Sequence, residues 1–261
     1  MQLSEGSEYV ALGSSYAAGP GLGDRVPASP PRAGRSRHNY PHLLAERLKL
    51  RLTDVSFSGA TVAQILGRDR GATALPQLEA VTSTTKLVTL TGGGNDAGYI
   101  GYLSLASLPW LVRAATGANR RLVELANESE FERKIAGLAD NLLRLFDEIR
   151  SRAPGVTIAV TDYLALLPPE SSASAPPLQH EAAQRGLRYW QHVNLALRQA
   201  TARAGAVFVN VSAPSASHHA WSAEPWTERF VLLGGKAAAY HPTREGMSVV
   251  ADTVQAALAA A

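Results

Sequence analysis

Short apolar runs that end in turns of small residues are the feature that most constrains the fold of this chain. Residues 9–12 are too few for a helix and are typical of a strand buried on both faces; a glycine and two serines follow them. Residues 52–57 end at a Ser-Gly-Ala turn, and residues 86–91 run into three glycines and an Asn-Asp pair. Open α/β sheets bind ligands beyond the carboxyl ends of their strands, so a serine in such a turn is a candidate nucleophile.

Helical patterns lie between most of the predicted strands. The clearest helix covers residues 131–150, because its apolar side chains form one stripe with charged residues on the opposite face. Further helices are predicted over residues 40–48, 61–66, 187–201 and 243–258, and further strands over residues 156–162 and 206–210. Alternation of strand and helix builds a parallel sheet with helices on both faces, and the sequence therefore predicts an α/β fold.

Length and composition limit the possible architectures and partners. At 261 residues the chain is long enough for one large α/β domain, and we predict a single domain over residues 1–261. Its 25 basic and 22 acidic residues leave a net charge of only +3, which is too weak to indicate nucleic acid as a partner. Cysteine is absent, which excludes disulfides, thiolate metal sites and cysteine nucleophiles.

The cellular location is less well defined by the sequence. The first residues show neither the basic nor the apolar segment of a signal peptide, and no apolar run is long enough to span a bilayer. We therefore expect a cytoplasmic protein without an integral membrane segment, although a secreted protein whose leader has been removed would look the same. A monomer is the expected oligomeric state.

A candidate base for serine chemistry stands near the C-terminus. Acyl transfer by a serine requires an exposed hydroxyl, a base, N–H donors for the oxyanion and a group that orients the base. Of the seven histidines, His241 stands out because it occupies a short connection before the last predicted helix. Pro242 fixes the backbone after it and Thr243 is a suitable helix cap, so the imidazole would have a rigid support.

Four short motifs together resemble those of a known enzyme family. Gly13-Ser14-Ser15-Tyr16, Gly59 within SGAT, Gly93-Gly94-Asn95-Asp96 and His241-Pro242 follow the order and approximate spacing of the four blocks of the SGNH, or GDSL, hydrolases. The resemblance extends over nearly the whole chain. It implies a three-layer α/β/α sandwich around a flavodoxin-like, five-stranded parallel sheet. It also implies hydrolysis of carboxylic esters without a metal or a cofactor.

The resemblance also implies a role for each matched residue. Ser15 is the expected nucleophile, and His241 is the expected general base. The backbone N–H groups of Ser15 and Gly59 and the side-chain amide of Asn95 are the expected oxyanion donors. The expected substrates are short- to medium-chain acyl esters, either small molecules or lipids. Acetylated carbohydrates and acyl transfer to another alcohol are the alternatives.

Two positions depart from the family pattern. The first block usually reads Gly-Asp-Ser, and here Ser14 replaces the aspartate; alignment to the block still favours Ser15 over Ser14 as nucleophile. The aspartate that commonly precedes the histidine by three residues is replaced by Ala238. We therefore predict a dyad in which the main-chain carbonyl of Ala238 orients the ring of His241. The carboxylates that could act instead are Glu224, Glu228 and Asp162.

Two predicted insertions, at about 97–130 and 212–235, carry aromatic and apolar residues. We expect them to supply an acyl-binding wall or, alternatively, core packing. Tyr16, Tyr99 and Trp221 are the candidate substrate-binding residues.

Three other functions compete with ester hydrolysis. A phosphate- or nucleotide-binding protein is disfavoured because no P-loop motif is present and the glycines at 19–23 lie in a Pro-rich loop. A catalytically dead relative that binds esters or glycans is favoured by Ser14 and Ala238 but disfavoured by the complete set of motif residues. A metal site at His218, His219 and Glu224 is disfavoured because adjacent side chains point in different directions.

Overall fold

A parallel sheet forms the centre of the protein. The computed structural model describes residues 3–68, 76–169, 174–232 and 238–261. The strands within these ranges are β1 (Glu8–Gly13), β2 (Arg51–Asp54), β3 (Thr85–Thr91), β4 (Thr157–Thr161) and β5 (Val207–Val209). They lie in the order β2-β1-β3-β4-β5, and each neighbouring pair is parallel. The turns that follow the strands are therefore at one edge of the sheet.

Helices connect the strands and cover both faces of the sheet. Those in the described chain are α1 (Ser15–Ala18), α2 (Tyr40–Leu48), α3 (Val62–Ile65), α4 (Gly94–Ala97), α5 (Tyr99–Ala106), α6 (Trp110–Thr116), α7 (Ala118–Leu125), α8 (Glu128–Arg152), α9 (His180–Arg203) and α10 (Arg244–Ala260). None of the described helices combines the length and apolarity needed to cross a bilayer.

Alternate residues of β1 belong to two separate cores. Val10 and Leu12 belong to the core that includes apolar side chains of α8 and α9. Tyr9 and Ala11 belong to the core that includes those of α2 and α10. Because a strand side chain points to the opposite face from its neighbour, a strand buried on both faces reads as a continuous apolar run. The predicted three-layer α/β/α sandwich with a flavodoxin-like, five-stranded parallel sheet is confirmed.

Element boundaries differ from the predictions where close packing hides the apolar period. Helix α9 begins at His180, well before the predicted start at residue 187. Gly186 lies within this added part, where a Cβ would come within 2.6 Å of Leu103 and 2.9 Å of Leu167. Close packing therefore requires glycine at a core-facing position, and the apolar pattern is interrupted there. The predicted insertion at about 97–130 consists largely of helices α5, α6 and α7.

Candidate active site

The turn after β1 places Ser15 at the first position of α1. Gly13 has a φ of 144°, and a Cβ there would clash with the carbonyl oxygen of Thr91, so only glycine allows β1 and β3 to approach this closely. The Ser14 N–H donates to that same Thr91 carbonyl at 2.9 Å. The chain is thus fixed immediately before Ser15, whose side chain stands at the carboxyl edge of the sheet.

His241 meets Ser15 across 226 residues of sequence. Its Nε2 lies 2.8 Å from Ser15 Oγ, and its Nδ1 lies 2.7 Å from the carbonyl oxygen of Ala239. A carbonyl can only accept, so Nδ1 carries the proton and Nε2 is free to accept from the hydroxyl of Ser15. Burial lowers the pKa of His241, while the hydrogen bond to Ala239 opposes this shift. The neutral imidazole is therefore favoured near pH 7, as a general base requires.

The carbonyl that orients His241 is that of Ala239, not of Ala238 as predicted. The difference arises at Tyr240, which has a φ of 62° and so adopts the left-handed conformation. This conformation places the carbonyl of Ala239, two residues before His241, against the His241 imidazole. Such a conformation is rare outside glycine and has no signal in the Ala-Ala-Tyr-His sequence.

Tyr240 is held in this conformation by contacts on several sides. Its N–H donates to the Glu228 carbonyl at 2.9 Å, and its carbonyl accepts the hydroxyl of Tyr16 at 2.7 Å. The Tyr240 hydroxyl lies 2.6 Å from Ser107 Oγ. The Glu228 N–H also donates to the His241 carbonyl at 2.8 Å. These bonds offset the cost of the left-handed backbone and fix the position of the histidine.

None of the three candidate carboxylates orients His241. Within the described ranges, no carboxylate oxygen lies within hydrogen-bond distance of His241. Asp162 Oδ1 accepts from the N–H groups of Val211 at 2.7 Å and Ser212 at 3.0 Å. Glu224 and Glu228 contact this region only through their backbones: the Glu224 carbonyl accepts from His218, and the Glu228 N–H and carbonyl bond residues 240 and 241. The observed geometry is a serine, a histidine and a main-chain carbonyl.

Two unpaired N–H groups and one amide lie on the turns beside Ser15. Neither the Ser15 N–H nor the Gly59 N–H has an acceptor among the described residues. Gly59 has a φ of 86°, and a Cβ there would meet nothing within 4 Å, so its backbone borders open space. The Asn95 side-chain amide donates one hydrogen to the Ala60 carbonyl at 3.0 Å, which leaves its second hydrogen available.

Asp96 joins two of these turns; it belongs to the third motif, but the sequence predicted no role for it. Its Oδ1 and Oδ2 lie 3.0 and 3.1 Å from the N–H of Val62, at the start of α3. Together with the Asn95–Ala60 bond, this contact fixes the turn containing Gly59 against the turn containing Asn95. Burial raises the pKa of Asp96 to about 7, against the lowering effect of its hydrogen bonds to backbone N–H groups. Asp96 caps α3 from a turn that is distant in sequence, so no pattern near residue 96 or residue 62 predicts this contact.

Ser14 is buried beside Tyr163 and away from the histidine. The Tyr163 hydroxyl accepts the Gly94 N–H at 2.9 Å. Burial raises the pKa of Tyr163 to about 12, although Gly94 and the Ser14 side chain act in the opposite direction. The structure thus separates the two serines: the Ser15 hydroxyl contacts His241, and Ser14 is buried without a hydrogen bond to the histidine.

Two of the three candidate substrate-binding residues lie in the core. Tyr16 is only 4% exposed, and its ring centre is 5.5 Å from that of His241, so it packs beside the histidine. Tyr99 is 1% exposed and packs edge-on against Tyr163 at 6.4 Å. Both tyrosines therefore contribute to core packing rather than to an acyl-binding wall. Trp221 is partly exposed; its indole N–H donates to the Pro176 carbonyl at 3.1 Å.

His218 and His219 contact different groups. The His218 ring stacks on Trp226 at 3.9 Å, and its Nδ1 donates to the Glu224 carbonyl. His219 Nδ1 accepts the Trp221 N–H instead. The part of the chain that the structure describes has no group of three or more side chains placed to hold a metal ion.

Comparison with known proteins, by sequence and by structure, matches this chain to lipases. The model of the GDSL-like lipase/acylhydrolase family matches residues 11–249. Lipase 2 of Streptomyces coelicolor is 32% identical over 260 residues, covering 94% of this chain and 83% of that lipase. The crystal structure of an extracellular lipase from Streptomyces rimosus superposes with a TM-score of 0.72 at 27% identity, covering 95% of this chain and 99% of the lipase. A phospholipase A1 from Streptomyces albidoflavus NA297 has the same fold, with a TM-score of 0.72 at 23% identity and the same coverage of 95% and 99%.

Proposed function

The chain belongs to the GDSL-like lipase/acylhydrolase family and is a carboxylic ester hydrolase, and we propose that it cleaves short- to medium-chain acyl esters with Ser15 and His241. The observation that carries this proposal is the 2.8 Å contact between Ser15 Oγ and His241 Nε2. The 2.7 Å bond from Nδ1 to the Ala239 carbonyl sets the tautomer that this contact needs. Retention of this geometry argues against a catalytically dead ester- or glycan-binding relative.

The first half of the reaction forms an acyl-enzyme. His241 Nε2 takes the hydroxyl proton as Ser15 Oγ attacks the ester carbonyl carbon. The resulting imidazolium keeps its Nδ1–H on the Ala239 carbonyl and directs Nε2–H towards the leaving oxygen. The C–O bond to the alcohol then breaks, and the alcohol leaves with that proton. A neutral carbonyl stabilises the imidazolium less than a carboxylate does, but it still fixes the ring.

The second half returns the enzyme to its starting state. A water molecule gives a proton to Nε2 and attacks the acyl carbon, and Ser15 Oγ leaves and regains the proton. In both halves the negative charge on the carbonyl oxygen would be met by the N–H groups of Ser15 and Gly59 and the Asn95 amide. Another alcohol in place of water would give acyl transfer, because the acyl-enzyme is common to both reactions.

Replacement of Asn95 by alanine tests the oxyanion site. We expect kcat on p-nitrophenyl butyrate to fall by about 10²- to 10³-fold, with a smaller change in KM, because one donor to the transition-state oxygen is lost. Steady-state kinetics of the purified variant measure both constants.

The matched control is Asp96→Asn in the same turn. It keeps an oxygen for the Val62 N–H and so retains the junction between the two turns. Its kcat should stay within about tenfold of the wild-type value. Equal losses in both variants would mean that any change in this turn lowers kcat, and the loss in Asn95→Ala would then not support its assignment as an oxyanion donor.

The choice of substrate is tested with p-nitrophenyl esters of acetate, butyrate, octanoate and palmitate. We expect the highest kcat/KM on butyrate or octanoate. A clear preference for acetate, with turnover of acetylated xylan, would favour the acetyl-carbohydrate alternative. The proposal would be overturned if none of these esters were hydrolysed.

Location, oligomeric state and domain extent stay predictions. The sequence left a cytoplasmic and a secreted location open. The S. rimosus lipase is described as extracellular, which supports secretion. A monomer and a single catalytic domain over residues 1–261, with insertions at about 97–130 and 212–235, are the simplest proposals; residues 233–235 lie outside the described ranges.

A further inference from the structure

Exposed apolar side chains are concentrated on two segments of the described chain. Seven large apolar residues are exposed there, and six of them lie between 110 and 123 or at 231 and 232. We call residues 110–125, which comprise α6 and α7, the helical hairpin, and residues 230–232 the apolar strip. Trp110 is 67% exposed and Leu111 62% exposed. Clustering of this kind marks an interaction surface, whereas single exposed apolar residues are ordinary.

Both segments are adjacent to residues that contact Tyr240, the neighbour of His241. Ser107, just before the hairpin, bonds the Tyr240 hydroxyl at 2.6 Å. Phe230, in the apolar strip, has its ring centre 6.2 Å from that of Tyr240. Both segments therefore lie next in sequence to residues that support the catalytic histidine through Tyr240.

Helix α6 has no buried face. None of its seven residues is buried. Trp110 and Val123, from the two helices of the hairpin, line an open groove of about 490 Å³, with Pro177 among its other lining residues. A surface helix that packs fully against a core would bury one stripe of its side chains. The apolar residues of α6 are instead free to enter another apolar phase.

The charge of the hairpin identifies the kind of surface that it fits. Residues 110–125 contain three arginines and one glutamate, a net charge of +2, and Arg113 donates to the carbonyl oxygens of Ala106 and Leu108 at the start of the hairpin. Arg120 and Arg121 lie 3.4 and 3.2 Å from Glu124, and their side chains are 89% and 65% exposed, so two arginines and one glutamate present a net positive charge to solvent. Tryptophan and leucine beside arginine are typical of helices that lie in the interface of an anionic lipid layer.

We propose that the helical hairpin, together with the apolar strip, is the surface by which this enzyme binds an anionic phospholipid layer. Trp110 and Leu111 enter the acyl region, and Arg120 and Arg121 contact the lipid phosphates. Binding would bring Ser15 and His241 close to esters held in the layer, and this consequence rests on the function proposed above. The binding itself does not require turnover.

Vesicle binding by the Ser15→Ala variant tests the proposal without hydrolysis. Vesicles of phosphatidylcholine alone are compared with vesicles that also contain phosphatidylglycerol, and bound protein is measured by sedimentation. We expect binding to the anionic vesicles that weakens as salt is added. Adding Leu111→Ser should weaken this binding about tenfold, because a leucine no longer enters the apolar phase.

Leu195 provides a matched control. It is an exposed leucine on α9, 51% accessible and outside the hairpin. Leu195→Ser in the same Ser15→Ala background should bind as tightly as its parent. In a background with Ser15 restored, Leu111→Ser and Leu195→Ser should each hydrolyse dissolved p-nitrophenyl butyrate at the wild-type rate. This result would show that both variants are folded.

Three results would overturn the proposal. These are no binding to anionic vesicles, equal loss in the Leu111 and Leu195 variants, or a wild-type dimer that Leu111→Ser converts to a monomer. The last would assign the surface to a second copy of the chain. Hydrolysis that survives Ser15→Ala would instead contradict the proposed function and leave the vesicle result standing, so the two failures are distinguishable.

Discussion

The Ser15→Ala variant is expected to lower kcat on p-nitrophenyl butyrate by at least about 10³-fold. The acyl-enzyme cannot form without Oγ, and His241 loses the hydroxyl that lies 2.8 Å from its Nε2. The residual rate would come from the oxyanion donors and substrate binding alone. Steady-state kinetics measure the loss, and a burst of p-nitrophenol seen with the wild type should be absent.

Ser14→Ala is the control for this experiment. Ser14 is the preceding residue and is 2% exposed, and it is Ser15 rather than Ser14 whose hydroxyl lies against His241 Nε2. We expect kcat to fall by less than about tenfold, with some loss of stability because a buried polar contact is removed. If Ser14→Ala were as damaging as Ser15→Ala, the assignment of the nucleophile would be wrong.

The His241→Ala variant is also expected to lose at least about 10³-fold in kcat, because the proton of Ser15 then has no base. His218→Ala is the matched control, since that ring stacks on Trp226 and takes no part in the dyad. The control should retain most of the wild-type activity. Comparable losses in the two variants would point to a structural effect of removing a histidine.

The pH profile gives a second measure of the role of His241. Burial lowers its pKa below the ordinary value of 6.5, so the imidazole stays neutral to lower pH than a free histidine. Activity requires the neutral form. kcat/KM should therefore rise with pH, with a midpoint below 6.5, and then reach a plateau. A midpoint above 6.5 would contradict the assignment of His241 as the general base.

The fold follows from the sequence because its strongest signals are local. Strands buried on both faces give continuous apolar runs, and the stripe of α8 repeats with the helical period. Boundaries were less predictable, since they depend on contacts made elsewhere in the chain. The early start of α9 is an example, because Gly186 is a core position that close approach of Leu103 and Leu167 keeps free of a side chain.

The contact between Ser15 and His241 was predictable for a different reason. Both residues lie in short motifs whose order resembles that of a family, and parallel strands bring their carboxyl-end turns to one edge. The acceptor for Nδ1 was predicted one residue too early, since the φ of 62° at Tyr240 depends on bonds to Tyr16, Glu228 and Ser107. Such long-range support leaves no pattern near residue 240.

The two departures from the family pattern have structural explanations. Where family members commonly have an aspartate before the histidine, the carbonyl of Ala239 meets Nδ1 at 2.7 Å. Where they have an aspartate before the serine, Ser14 lies buried against Tyr163. Neither replacement removes a group that contacts the Oγ of Ser15. We therefore expect the chemistry to depend on orientation of the imidazole by a carbonyl rather than by a carboxylate.

Covalent labelling with a p-nitrophenyl alkylphosphonate tests the central claim most directly. Ser15 Oγ should attack phosphorus and release p-nitrophenol, leaving one phosphonyl group on the enzyme. Mass spectrometry of the digested wild-type protein should place that single group on Ser15, and Ser15→Ala should remain unlabelled. A phosphonyl group on Ser14 or on any other residue, or equal labelling of Ser15→Ala, would contradict the account.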